Sequence, residues 1–109
     1  MIITNTNNID NAMVTEYIGP VFGEVIEGVN FIKDFAAGIR NFVGGRSGMY
    51  EESVIQARTE AINEMAMRAQ QLGAEAILGL KVDYETLGEG GSMLMVTASG
   101  TAVKIQRKQ

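Results

Sequence analysis

The chain has 109 residues, 46% of them hydrophobic and 20% charged, with a formal net charge of −4 and neither cysteine nor histidine. That length predicts one domain over residues 1–109, and the composition excludes a disordered chain, a disulfide scaffold and any nucleophile activated by histidine. The acidic balance offers a polyanion nothing, so DNA and RNA are not expected partners, and no apolar run approaches the ~18 residues of a membrane span.

Met1-Ile2-Ile3-Thr4-Asn5 lacks the regions of a signal peptide, and the expected location is cytoplasmic. Ala12 to Val29 is rich in Val, Ile, Tyr and Phe and reads as a strand. Pro20 cannot donate to a ladder, so it marks an edge position or a bulge, and Gly19, Gly23 and Gly28 point to a sharp bend or close backbone approach. Asn30 is a good N-cap for a helix from Phe31 to about Val43, with Phe31, Phe35, Ile39 and Phe42 at helical spacing. Gly44-Gly45 ends that helix, and Ser47 caps a second, longer one that ends near Leu72-Gly73. The second helix carries the stripe Val54, Ala57, Ala61, Met65, Ala69 and Leu72, with Glu51 and Glu52 in the first turn, where its dipole favours them. Arg58, Glu64 and Arg68 fall on its wet side.

Ala74 to Thr86 alternates as a half-buried strand, with Ala76, Leu78, Leu80, Val82 and Tyr84 on one face and Lys81, Asp83 and Glu85 on the other. Leu87 to Gly91 is a hairpin turn. Met93 to Gln106 is the final strand, presenting Leu94, Val96, Ala98, Gly100 and Ala102 to the helices and Met93, Met95, Thr97, Ser99 and Thr101 to the other side. The order strand, helix, helix, strand, strand predicts an α+β two-layer domain, a small antiparallel sheet with helices on one face. The second face would carry Met, Thr and Ser with little charge, which suits a partner better than water.

Three groups of residues invite a chemical reading. Gly44-Gly45-Arg46-Ser47-Gly48 could bind a small anion through free N–H groups at a helix start, with Arg46 and Arg40 as charged forks; the plainer reading is a connector between helices. Met93 and Met95 project two thioethers from one strand face, which suit a soft ion but more readily fill a core or an interface. Asp83 and Glu85 could share acid–base work or a hard cation, but Lys81 in the same row makes a solvated face the better account.

The segments Gly28-Val29-Asn30, Lys33-Asp34, Gly38-Ile39-Arg40, Val43 to Gly48, Tyr50-Glu51, Leu72-Gly73-Ala74, Val82 to Glu85 and Gly91 to Val103 resemble the YbjQ family of small bacterial and archaeal proteins along essentially the whole chain. The resemblance implies a dodecin-like strand–helix–strand–strand core and a ring-shaped homopentamer. The family's function is unestablished and its domain carries a heavy-metal-binding label. No family metal-ligand motif maps onto this chain, so no metal ligand and no cofactor are assigned. Independently of the family, two sheet edges, a sparsely charged face and seven methionines predict a homo-oligomer. The expected function is non-enzymatic binding or scaffolding; the alternative is an enzyme whose site is assembled between subunits from Arg40, Arg46, Asp83 and Glu85.

Overall fold

The computed structural model describes residues 1–27, 48–88 and 93–108, with side chains of the helix from residue 54 onward. The expected helix over 31–43 and most of the turn between the last two strands lie outside the described residues. The elements are β1 (Ile2–Ile3), β2 (Ala12–Glu27), α1 (Gly48–Gln71), β3 (Ala76–Leu87) and β4 (Met93–Arg107). They form a four-stranded sheet in the order β1-β3-β4-β2 with α1 packed on it, an α+β fold.

The sheet is mixed rather than purely antiparallel. β4 pairs antiparallel with both β2 and β3, while the two-residue β1 runs parallel to β3, Ile2 opposite Ala76 and Ile3 opposite Ile77. Main-chain bonds extend that pairing: Thr4 N–H donates to the Ile77 carbonyl, and the Leu80 and Gly79 N–H groups donate to the carbonyls of Thr4 and Thr6, each at 3.0 Å. Two apolar residues have no measurable period, which is why the sequence pattern missed this strand.

β2 is an edge strand, and Pro20 sits opposite Thr101 just past a register shift between Tyr17 and Gly19. An edge loses nothing when a ring nitrogen cannot donate outward. α1 crosses the sheet with Ala57, Ala61, Met65 and Ala69 fully buried against Val21 of β2, Ile77 of β3 and Leu94, Val96, Ala98 and Ala102 of β4. Small residues on both layers bring the helix very close to the sheet. At Gly23 a Cβ would overlap the Ala61 carbonyl oxygen and stand 2.6 Å from the Met65 nitrogen, so only glycine lets the helix backbone lie there.

α1 ends in a Schellman motif. Gly73 adopts φ +85°, its N–H reaches the Gln70 carbonyl at 2.9 Å, and the Ala74 N–H reaches the Ala69 carbonyl at 3.0 Å. The turn leaves Leu72 57% exposed, so it does not join the buried stripe as expected.

β3 departs from simple alternation. Leu78 pairs with Thr101 but Lys81 pairs with Ser99, one residue out of step, and Gly79 at φ +67° takes up the extra residue. The bulge switches faces: Ile77 lies under the helix with Leu80 and Val82, whereas Ala76 and Leu78 turn to the opposite side. There they form a second small core with Val103, against which Ile9, Val14 and Ile105 pack. The second face is therefore covered at one end by the N-terminal segment, not bare throughout.

Candidate functional site

Of the residues the sequence singles out for an anion, Arg40, Gly44, Gly45, Arg46 and Ser47 lie outside the described residues, and Gly48 is the first residue of α1. Lys81, Asp83 and Glu85 are all exposed on one side of β3, with Lys81 Nζ 3.7 Å from the Asp83 carboxylate. That is a solvated row, as Lys81 beside the two carboxylates suggested, and because the three stand opposite Ser99, Thr97 and Met95 they lie on the second face, which is more charged than expected.

Met93 and Met95 belong to the open end of the second face. Met95 stands between Ile26 of β2 and Glu85 of β3, and Met93 opposite Leu87 of β3, so the thioethers meet hydrocarbon on one side and a carboxylate on the other. Phe22 and Ile26, 47% and 57% exposed, continue the same surface beside Thr97 and Ser99. α1 lies on the other side of the sheet, and no described side chain covers this end.

The β2 edge is held by a residue that sequence reasoning left on the wet face of the helix. Arg68 Nη1 donates to the Phe22 carbonyl at 2.8 Å and to Glu24 Oε2 at 2.9 Å, while Nη2 donates to Glu64 one turn back. The Glu24 hydrogen bond, with the charges of Glu24 and Glu64 behind it, raises the Arg68 guanidinium above its ordinary pKa, against a lowering from partial desolvation. The pairing occupies a backbone carbonyl and so blunts the middle of the edge. The Glu64–Arg68 spacing was visible as an i,i+4 pair; the reach to β2 was not.

Two open chambers that share lining residues lie where the N-terminal segment folds back on the sheet. One chamber, about 250 Å³, is lined by Ile2, Thr4, Thr6, Asn8, Ile9 and Asp10. Its neighbour, about 190 Å³, shares Ile2, Ile9 and Asp10 and adds Asn11, Ala12, Ile105 and Arg107. Asn11 holds a left-handed φ of 63°, and its carbonyl accepts the Lys108 N–H at 2.8 Å, tying the turn to the end of β4. The sequence reading had not singled out this stretch, whose only signal is the polar run Thr4 to Asn8 interrupted by Ile9.

A family model of the YbjQ proteins, described as "Putative heavy-metal-binding", matches residues 1–106. The chain belongs to the YbjQ family. Relatives named UPF0145 protein agree with this: one from Acetivibrio thermocellus is 64% identical over 106 residues, 97% of this chain and 100% of its own length. One from Clostridium kluyveri is 59% identical over the same shares of the two chains. A crystal structure of a Pediococcus pentosaceus protein of unknown function, placed in the DUF74 family, shares the fold with a TM-score of 0.58 at 18% identity, over 97% of this chain and 98% of that one.

The metal in the YbjQ description does not fit the residues present. Soft and borderline metals are held chiefly by thiolate and imidazole, the chain has neither cysteine nor histidine, and the thioethers of Met93 and Met95 alone make an incomplete ligand set. Among the described residues no three acidic side chains converge on a point. Among them, too, no helix is long and apolar enough to cross a membrane.

Proposed function

We propose that this YbjQ protein is a self-assembling, non-enzymatic binding or scaffold protein of the cytoplasm, closed as a pentameric ring with ligands held at loops or between subunits. The observation that carries the reading is the open end of the second sheet face, where Phe22, Ile26, Met93 and Met95 meet solvent together beside the charged row Lys81, Asp83 and Glu85. The molecule's proportions support it. Its extents are 55 × 28 × 16 Å and its radius of gyration is 17.2 Å, against about 13 Å for a compact chain of this length. The accessible surface is 7270 Å², where a compact monomer of this mass would show about 5,900 Å². An excess of that order over a compact monomer suits the contact surface of a homo-oligomer. The stoichiometry of five rests on the family resemblance, and a small anion at Gly44 to Gly48 with Arg40 remains part of the proposal.

Light scattering coupled to size exclusion tests the assembly. At micromolar concentration the expected mass is five times the 11.8 kDa of one chain. A mass of one chain overturns the proposal; another multiple keeps self-association and discards the number.

A further inference from the structure

We infer that the N-terminal cleft binds a free α-amino acid with an apolar side chain, its ammonium group against Asp10 and its carboxylate on Arg107. The inference goes beyond the assembly proposed above and does not depend on it.

The hydrogen bonds of the first chamber decide what it can accept. Thr6 Oγ1 donates its proton to the Asn8 carbonyl at 2.6 Å. The 2.9 Å contact between the Thr4 and Thr6 hydroxyls must then be donated by Thr4, since Thr6 has no second proton. Thr4 Oγ1 in turn accepts the Thr6 N–H at 3.1 Å. Both hydroxyl protons are thus spent inside the loop, and the two threonines can offer a ligand only lone pairs. With the Asp10 carboxylate on the same wall, the chamber favours a cationic group with several N–H donors, which an ammonium supplies.

The second chamber has the opposite character at its far side. Arg107, paired in register with Ala12, brings a guanidinium whose planar fork matches a carboxylate. Asp10 and Arg107 line this chamber together, yet form no ion pair with each other. Ile2, Ile9, Ala12 and Ile105 supply apolar wall between the charges, and Ile9 and Ile105 are fixed by the second core beneath. Two opposite charges and hydrocarbon lining one chamber match one small molecule that carries both charges and an apolar body. The chamber that Asp10 and Arg107 line together, about 190 Å³, is smaller than the roughly 300 Å³ at which pockets for drug-sized ligands begin, which suits a ligand of amino-acid size.

Titration calorimetry on the full chain tests this with L-leucine as the probe, beside L-leucine amide, which lacks the carboxylate, and N-acetyl-L-leucine, which lacks the ammonium. Leucine is expected to bind saturably, and each blocked analogue to bind at least about tenfold more weakly, as loss of one charge-assisted contact implies. Asp10→Asn and Arg107→Gln, both at exposed positions, should each weaken leucine by about tenfold and leave far-ultraviolet circular dichroism unchanged. The inference is overturned if wild-type protein shows no heat with leucine up to ~10 mM, if either analogue binds as well as leucine, or if both variants bind it undiminished. The analogue comparison uses wild-type protein alone, so it stands whatever the variants do to folding.

Discussion

The two faces of this sheet are finished to different degrees. Under α1 the packing is continuous: four fully buried helix residues meet a strand row of Leu94, Val96, Ala98 and Ala102, and Gly23 admits the helix backbone itself. On the opposite face the N-terminal segment closes only one end, with Ile9 over Leu78 and Val103, and the other end stops at Phe22, Ile26 and Met93 in solvent. The difference lies in what each surface is made of, not in how hydrophobic it is. The helix side is built of small residues that permit contact at backbone distance, whereas the open end carries large, adaptable side chains of the kind found at interfaces, with the charged row of Lys81, Asp83 and Glu85 as a polar rim along β3. One face stabilises the fold; the other is available for association.

Substitutions should separate those roles. The largest loss is expected from Met65→Ala, which empties the largest fully buried side chain under the helix and should cost about 2–5 kcal/mol in denaturant unfolding at fixed protein concentration. A loss below that range would mean the helix side can collapse and is less tightly built than described. Gly23→Ala should follow at about 1–3 kcal/mol, because the clash is with helix backbone and no rotamer change relieves it. Ile9→Ala, on the half-closed face, should cost only about 1–2 kcal/mol, since a half-buried side chain loses part of its transfer energy. An effect as large as that of Met65 would erase the distinction between the two faces.

Arg68→Ala should have the smallest effect on stability. Its ion pairs are exposed, so the loss should be measurable at low ionic strength and nearly gone at ~1 M salt. Salt is the right probe because the folded-state guanidinium pKa is raised: the contribution is complete below the unfolded value and disappears only as pH climbs through the raised one, far into alkali. What Arg68→Ala should change is the bareness of the β2 edge, read as faster, concentration-dependent aggregation at low salt.

Much of the covered face was legible in the sequence. Gly73 stops the helix, and the alternation from Leu94 to Ala102 reports the buried row correctly. Pro20 pointed to an edge position or a bulge, and β2 is the edge strand, with a register shift just before Pro20. The other face was legible only in part, for physical reasons. In Ala76-Ile77-Leu78-Gly79-Leu80 every residue but the glycine is apolar, so the run looks the same with or without a bulge, and nothing local signals that Gly79 moves Leu78 to the far side. Ile9 is a lone apolar residue in a polar stretch, and β1 is two residues long; neither has a period to detect. Arg68 bonds to residues more than forty positions away, a distance no helical pattern encodes. The expected anion loop, apart from Gly48, lies outside the described residues and stays an expectation.

The account's central claim is that the open end of the second face is where copies of this chain meet. It is tested most directly by placing one charge there and one on an equally exposed apolar residue elsewhere, then weighing both by light scattering. Ile26→Lys, at a position 57% exposed on the open face, should reduce the native mass to the 11.8 kDa of one chain at micromolar concentration, while Met67→Lys, 53% exposed on the helix, should leave the wild-type multiple intact. An unchanged mass for Ile26→Lys, with dissociation caused instead by Met67→Lys, would contradict it.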